Sequence, residues 1–132
     1  MKKLFFTLSA LAVAGILTQS ACTFKNEEDE YGVGCDTANV TLSATIRPIL
    51  EQRCYACHSV ANANTLGAGL DFQTYSAIKE FLDGSKDVFI SAIRQEEVNG
   101  ITASSMPKAE PRISTCEILK LEKWIANGYP DN

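Results

Sequence analysis

The run Cys54-Tyr55-Ala56-Cys57-His58 sets two thiols one helical turn apart and follows them at once with an imidazole. His58 is the only histidine in the chain, so any fold must bring this one imidazole and its two neighbouring thiols to a common place. At 132 residues, 45% of them hydrophobic, the length allows one domain and a small core. Twelve Lys and Arg against sixteen Asp and Glu, with no basic run beyond Lys2-Lys3, leave no footprint for a nucleic-acid backbone.

No internal repeat appears after residue 35, and the apolar spacing there is helical. It predicts a first helix from about Ser43 or Thr45 to Arg53, with Ile46, Ile49 and Leu50 on one face and Pro48 in the first turn, where a missing N–H costs little. A second is expected over Thr74–Leu82, stopped by Gly84, and a third from a Ser85 cap to about Gln95, burying Val88, Phe89, Ala92 and Ile93. The last carries a capping box, Ser114-x-x-Glu117, then Ile118, Leu121, Trp124 and Ile125, and ends at Gly128 and Pro130. Asn39–Leu42 alternates over too few residues to make a sheet, so the class is all-α. Four short helices joined by loops as long as 58–73 and 96–113 bury little surface unaided. A large apolar cofactor tied to the chain would fill the middle.

The CxxCH run supplies one, because this spacing is the attachment sequence of c-type haem. Thiols one helical turn apart can add across two vinyl groups on one porphyrin edge, and His58 then meets the iron as proximal ligand. Two other readings stand beside it. A CxxC redox pair would want a βαβ context that this chain lacks. A zinc site using Cys54, Cys57 and His58 would have to splay adjacent ligands around one tetrahedral ion. A single histidine excludes ligation by two imidazoles from one chain and limits the count to one haem. Apart from the initiator, the sole methionine is Met106, forty-eight residues after His58 in the loop Ala103-Ser104-Ser105-Met106-Pro107-Lys108. Pro107 biases Met106 toward extended backbone, so its side chain can project from the loop, and a thioether suits iron and raises the reduction potential. The plainer alternative is a methionine that fills a gap in the core.

CYACH, the stretch Gly67-Ala68-Gly69-Leu70, Met106-Pro107 and a last helix with Trp124-Ile125 together resemble a class I cytochrome c over about residues 38–130. A narrower likeness is to lipoprotein-anchored monohaem cytochromes whose haem motif follows an Ile-x-Pro-Ile-Leu helix, here Ile46-Arg47-Pro48-Ile49-Leu50. The resemblance implies a small helical domain wrapped around one covalent haem, with residues near Ile46 to Leu50 touching those near Leu121 to Ile125 and a Cys35–Cys116 bridge at that corner. Many relatives carry a proline soon after the histidine whose carbonyl accepts the Nδ1 proton. Ser59-Val60-Ala61-Asn62 stands here instead, leaving that partner unassigned. Leu66, Leu70, Phe72, Tyr75 and Phe89 are expected around the porphyrin, although such residues also make ordinary core. Iron with both axial positions filled has no place for an organic substrate, so the expected role is one-electron transfer between redox partner proteins and not an enzyme. The alternatives are a peroxidase or gas-binding protein with a displaceable sixth ligand, for which Arg94, Arg112 or Lys108 would stand in for a distal histidine, and a haem-bearing subunit of a larger oxidoreductase.

Ahead of residue 35 the chain reads as an export segment and a tether. Lys2-Lys3 and the 14-residue apolar stretch Leu4–Leu17 form a signal peptide over 1–21, too short to span a membrane comfortably. Thr18-Gln19-Ser20-Ala21 before Cys22 resembles the lipobox of bacterial lipoproteins, with Gln19 departing from the usual Leu; ordinary cleavage nearby, giving a soluble periplasmic protein, is the competing reading. Cysteine parity favours acylation of Cys22. With Cys54 and Cys57 consumed, three remain, and lipidating Cys22 leaves Cys35 and Cys116 free to pair, or to stay as buried thiols. The expected location is the bacterial cell envelope, with a lipid anchor as the membrane contact. Cleavage would remove Lys2 and Lys3 and move the net charge from -4 to -6, which favours a basic or neutral partner surface. Residues 22–37, with four consecutive acids at Glu27-Glu28-Asp29-Glu30, read as a solvated tether to a domain over 38–132. Acids just after a lipidated cysteine also resemble the surface-export tag of some Gram-negative lipoproteins.

Overall fold

A computed structural model describes residues 34–132. The expected signal segment, Cys22 and the acidic run lie outside the described residues. Among those described the fold is all-α: Val98 and Ile101 make an isolated antiparallel bridge, and no strand forms. No helix among them is long and apolar enough to cross a membrane.

The first helical segment opens earlier than its apolar spacing predicts. Thr41, extended at φ -118° and ψ 156°, accepts the Ala44 N–H on its hydroxyl at 3.2 Å and caps a π-helical turn over Leu42–Ile46. This turn runs into α1 (Arg47–Arg53), with Pro48 in its first turn. Helix α1 stops at Cys54 (φ -121°, ψ -36°), whose N–H still reaches the Leu50 carbonyl at 2.8 Å, and the short α2 (Tyr55–His58) follows.

The second and third expected helices are two halves of α3 (Tyr75–Arg94). Ser85, at φ -144° and ψ 29°, kinks the backbone just after Gly84 without ending the helix. Thr74 occupies the N-cap position but makes no side-chain cap. Asp71 serves the entrance instead, its Oδ1 accepting the N–H groups of Gln73 at 2.8 Å and Thr74 at 3.2 Å. Helix α4 (Thr115–Ala126) begins as its sequence predicts: the Glu117 N–H donates to Ser114 Oγ at 3.2 Å, and the Ser114 N–H donates back to Glu117 Oε2 at 2.9 Å.

Helix α4 packs on the π-helical turn and on α3. Ile46, Leu50, Ile78, Leu82, Leu121 and Trp124 are essentially fully buried, and burying each such side chain contributes about 1.5–3 kcal/mol. The one polar atom of Trp124 is satisfied, since its Nε1–H donates to the Pro130 carbonyl at 3.0 Å. Asn132 serves the amides at the start of the first helical segment: its Oδ1 accepts the Leu42 N–H and its main-chain oxygen the Ser43 N–H, both at 2.8 Å. At the other end of α1, Arg53 forks onto Glu117 with its Nε 2.9 Å from Oε1. Burial raises the Glu117 carboxyl, but the hydrogen bonds from Arg53 and Ser114 more than offset this and hold it below the usual carboxylate range. Cys35 and Cys116 are disulfide-bonded, with Cα atoms 5.5 Å apart, fixing the segment ahead of the helices to the start of α4.

Candidate cofactor site

A cavity of about 720 Å³ opens between the α1–α2 junction, the C-terminal half of α3 and the loop after it, a volume within the range typical of cofactor sites. Cys54, Cys57 and His58 line it, and so does Met106. The four residues picked from the sequence for attachment and ligation thus share one cavity. Its remaining walls are mainly apolar, with Leu70, Phe72, Phe81, Phe89 and Ile93 among them. Cys54 and Cys57 are both free and half-buried. The break at Cys54 matters to their placement, since its carbonyl accepts the N–H groups of Cys57 at 3.1 Å and His58 at 2.8 Å, fixing the three residues as one turn.

His58 has a defined orientation. Its Nδ1 lies 3.0 Å from the Leu70 carbonyl, and because a carbonyl can only accept, Nδ1 is the donor, which in the neutral ring puts the lone pair on Nε2. The partner that the missing proline left unassigned is therefore Leu70, twelve residues on. Reaching it requires the chain to fold back. The Asn62 side chain donates to the Ala56 carbonyl at 2.9 Å, Ala63 O accepts the Gly69 N–H at 2.8 Å, and the Phe72 N–H returns to the His58 carbonyl at 2.8 Å. The Phe72 ring stacks on the imidazole, centroids 4.6 Å apart and planes 16° apart, and the Phe81 and Phe89 rings pack around Phe72. Gly67 permits this closeness. A Cβ there would lie 2.6 Å from the Cys57 carbonyl and 3.0 Å from His58 Nδ1. Gly67→Ala is therefore expected to cost about 1–3 kcal/mol in thermal or denaturant unfolding and to disturb the imidazole as well as the fold.

The other residues expected around a cofactor divide. Leu70, Phe72 and Phe89 are in the wall, and Leu66 stands on the lip, 64% exposed. Tyr75 is elsewhere: at the first position of α3 its hydroxyl donates to the Tyr129 carbonyl at 3.2 Å, and it does not line the cavity. Sequence reasoning missed Phe81, half-buried on the α3 face that also carries the buried Ile78 and Leu82, and missed Arg53 and Glu110, whereas Lys108 and Arg112, considered from the sequence as distal groups, are in the lining. These cations contrast with the net acidity of the chain. Arg94, considered from the sequence as a distal group, is held by Glu122 on α4 and is not in the lining.

No family model, curated protein or solved structure matches this chain. The chemistry has to be judged from the donor set and its surroundings. Among the described residues no group of three or more His, Cys, Asp or Glu side chains converges as a metal site, which tells against zinc held by Cys54, Cys57 and His58. Burial pushes the Cys54 thiol up to about 12, Glu117 adding to this and Arg53 opposing it. A thiol so far from ionising at neutral pH is not the lowered-pKa nucleophile of a CxxC redox pair. What the site does offer is two free thiols one turn apart, an oriented imidazole with an available Nε2, a thioether and a large apolar cavity. That donor set and volume fit a haem.

Proposed function

We propose that this chain is a monohaem c-type cytochrome, a one-electron carrier with His/Met axial ligation. The observation that carries the reading is the sharing of a single apolar cavity by Cys54, Cys57, His58 and Met106. When bound, the haem supplies a one-electron couple at its iron. The chain does the rest. Cys54 and Cys57 would each add S–H across a vinyl group, sulfur to one carbon and hydrogen to the other, so that the cofactor becomes part of the core. His58 and Met106 would hold the iron, with the Leu70 carbonyl fixing the imidazole's tautomer and raising its basicity. Phe72, Phe81 and Phe89 would exclude water from the ring, keeping the surroundings similar in both oxidation states.

Support for a class I cytochrome c arrangement comes from the packing of α4 on the first helical segment and from the Cys35–Cys116 bridge at that corner. An export signal, acylation at Cys22 and an envelope location complete the reading on sequence grounds, and the electron donors and acceptors are proposed to be proteins. A peroxidase would need an open sixth position, whereas Met106 stands in the same cavity as His58. The test is optical. The ferric holoprotein should show the weak long-wavelength band of methionine on iron, and its ferrous form should not bind carbon monoxide. Absence of the band with rapid carbon monoxide binding would replace the carrier with a gas-binding protein or a peroxidase.

A further inference from the structure

Ser91 is the most deeply buried polar side chain among the described residues, 1% exposed, and it lies on α3 in the half beyond the Ser85 kink. A serine inside a helix commonly bonds back to a carbonyl of its own preceding turn. Ser91 reaches outward instead. Its hydroxyl donates to the Glu96 carbonyl at 2.7 Å and accepts the Ala103 N–H at 3.0 Å, so a single oxygen grips both ends of the excursion that follows the helix. Within that excursion Val98 and Ile101 exchange both main-chain hydrogen bonds at 2.9 Å across Asn99 and Gly100, whose φ values of 51° and 79° make a tight hairpin turn. Three residues past Ala103, the Met106 N–H donates to the Ala92 carbonyl at 2.9 Å. Ala92, Ile93, Ala103 and Met106 all line the cavity.

The stretch bearing Met106 is therefore docked onto the last turns of α3 at two consecutive residues, through the side chain of Ser91 and the main chain of Ala92. We infer that Ser91 is a positioning residue for the sulfur ligand: it touches neither cofactor nor iron, and it sets where the methionine loop lies against the cavity. The inference rests on the assignment of Met106 as ligand. Alanine at 91 leaves the Glu96 carbonyl and the Ala103 N–H without their partner, and leaves the loop held by the Met106 amide and by two exposed side-chain bonds, Gln95 Nε2 to the Met106 carbonyl at 3.4 Å and Asn99 Nδ2 to Asp87 Oδ2 at 3.2 Å. Ser91 is not one of the buried apolar residues that make the core cluster, so the loss is expected to fall on the equilibrium between bound and released sulfur.

The experiment is an imidazole titration of the ferric holoprotein, wild type against Ser91→Ala and Ser91→Thr, followed by the loss of the methionine–iron band. Imidazole must displace the sulfur, so a loosened loop raises its apparent affinity. Ser91→Ala should bind imidazole about tenfold more tightly, the equivalent of one net hydrogen bond, and Ser91→Thr, which retains the hydroxyl, should lie close to wild type. Hydrogen exchange on the wild-type holoprotein gives a second reading that needs no variant: the Ala103 and Met106 amides should be protected as strongly as those of the C-terminal half of α3. Wild-type imidazole affinity in Ser91→Ala, or loop-like exchange at those two amides, overturns the proposal while leaving the ligand assignment standing. A wild-type protein that lacks the band removes the ligand assignment and this proposal together.

Discussion

Met106→Ala is expected to turn a holoprotein whose ferrous form ignores carbon monoxide into one that binds it, and to lower the reduction potential by on the order of a few tenths of the roughly 0.8 V that axial ligands span. The expectation follows from what the cavity contains. His58 is the only imidazole, and Met106 is the only thioether in the lining. The other polar side chains there, Gln52, Arg53, Ser104, Lys108, Glu110 and Arg112, offer amide, hydroxyl, carboxylate or basic nitrogen groups, none of them the soft thioether that suits ferrous haem iron. On the proposed ligation, removing the sulfur would therefore open the iron. Met106→His separates the two consequences, because a second imidazole should lower the potential and keep carbon monoxide out. Spectra and potential unchanged in Met106→Ala would return Met106 to the role of a core filler.

Loss of the Cys35–Cys116 bridge should be nearly as visible, in stability instead of colour. The two residues are 81 apart in sequence, and for a loop of that length the chain-entropy model gives about 4 kcal/mol. The double variant Cys35→Ser/Cys116→Ser should accordingly unfold on the order of 20 °C lower. The bridge holds residues ahead of the π-helical turn to the first turn of α4, beside the Arg53–Glu117 pair that is too exposed to substitute for it. A shift of only a degree or two would mean that the Asn132 hydrogen bonds and the core around Trp124 keep this corner closed without it.

What was legible in the sequence was local. The capping box at Ser114 and Glu117 is written within four residues and forms as read. The kinked joint at Gly84-Ser85 shows how far such signals reach: a stop residue and a cap residue mark the place where the backbone departs from helix, while packing of Ile78, Leu82, Phe89 and Ile93 into one core keeps both halves in a single element. The early start at Thr41 was hidden because Leu42 and Ile46 are spaced for an ordinary turn, and a π-helical turn has no apolar signature of its own. Among the cavity residues, Cys54, Cys57 and His58 were fixed by spacing and Met106 by elimination. Tyr75 could not be placed, because at the first position of a helix the phase of the apolar stripe does not decide which way the side chain leaves. The Leu70 carbonyl as partner of His58 was invisible in principle, since a main-chain acceptor has no residue type. Ser91 could not be told from any surface serine until the loop that covers it was placed, although Asn99-Gly100 was a turn signal that pointed to that loop being folded.

The central claim is that a haem is covalently joined to Cys54 and Cys57. Extraction of the purified protein with acidified organic solvent tests it most directly. The account predicts that the red pigment precipitates with the polypeptide, and that a peptide containing residues 54–58 carries the added mass of one haem. A colourless protein, or pigment that passes into the solvent and leaves both thiols free, would contradict it.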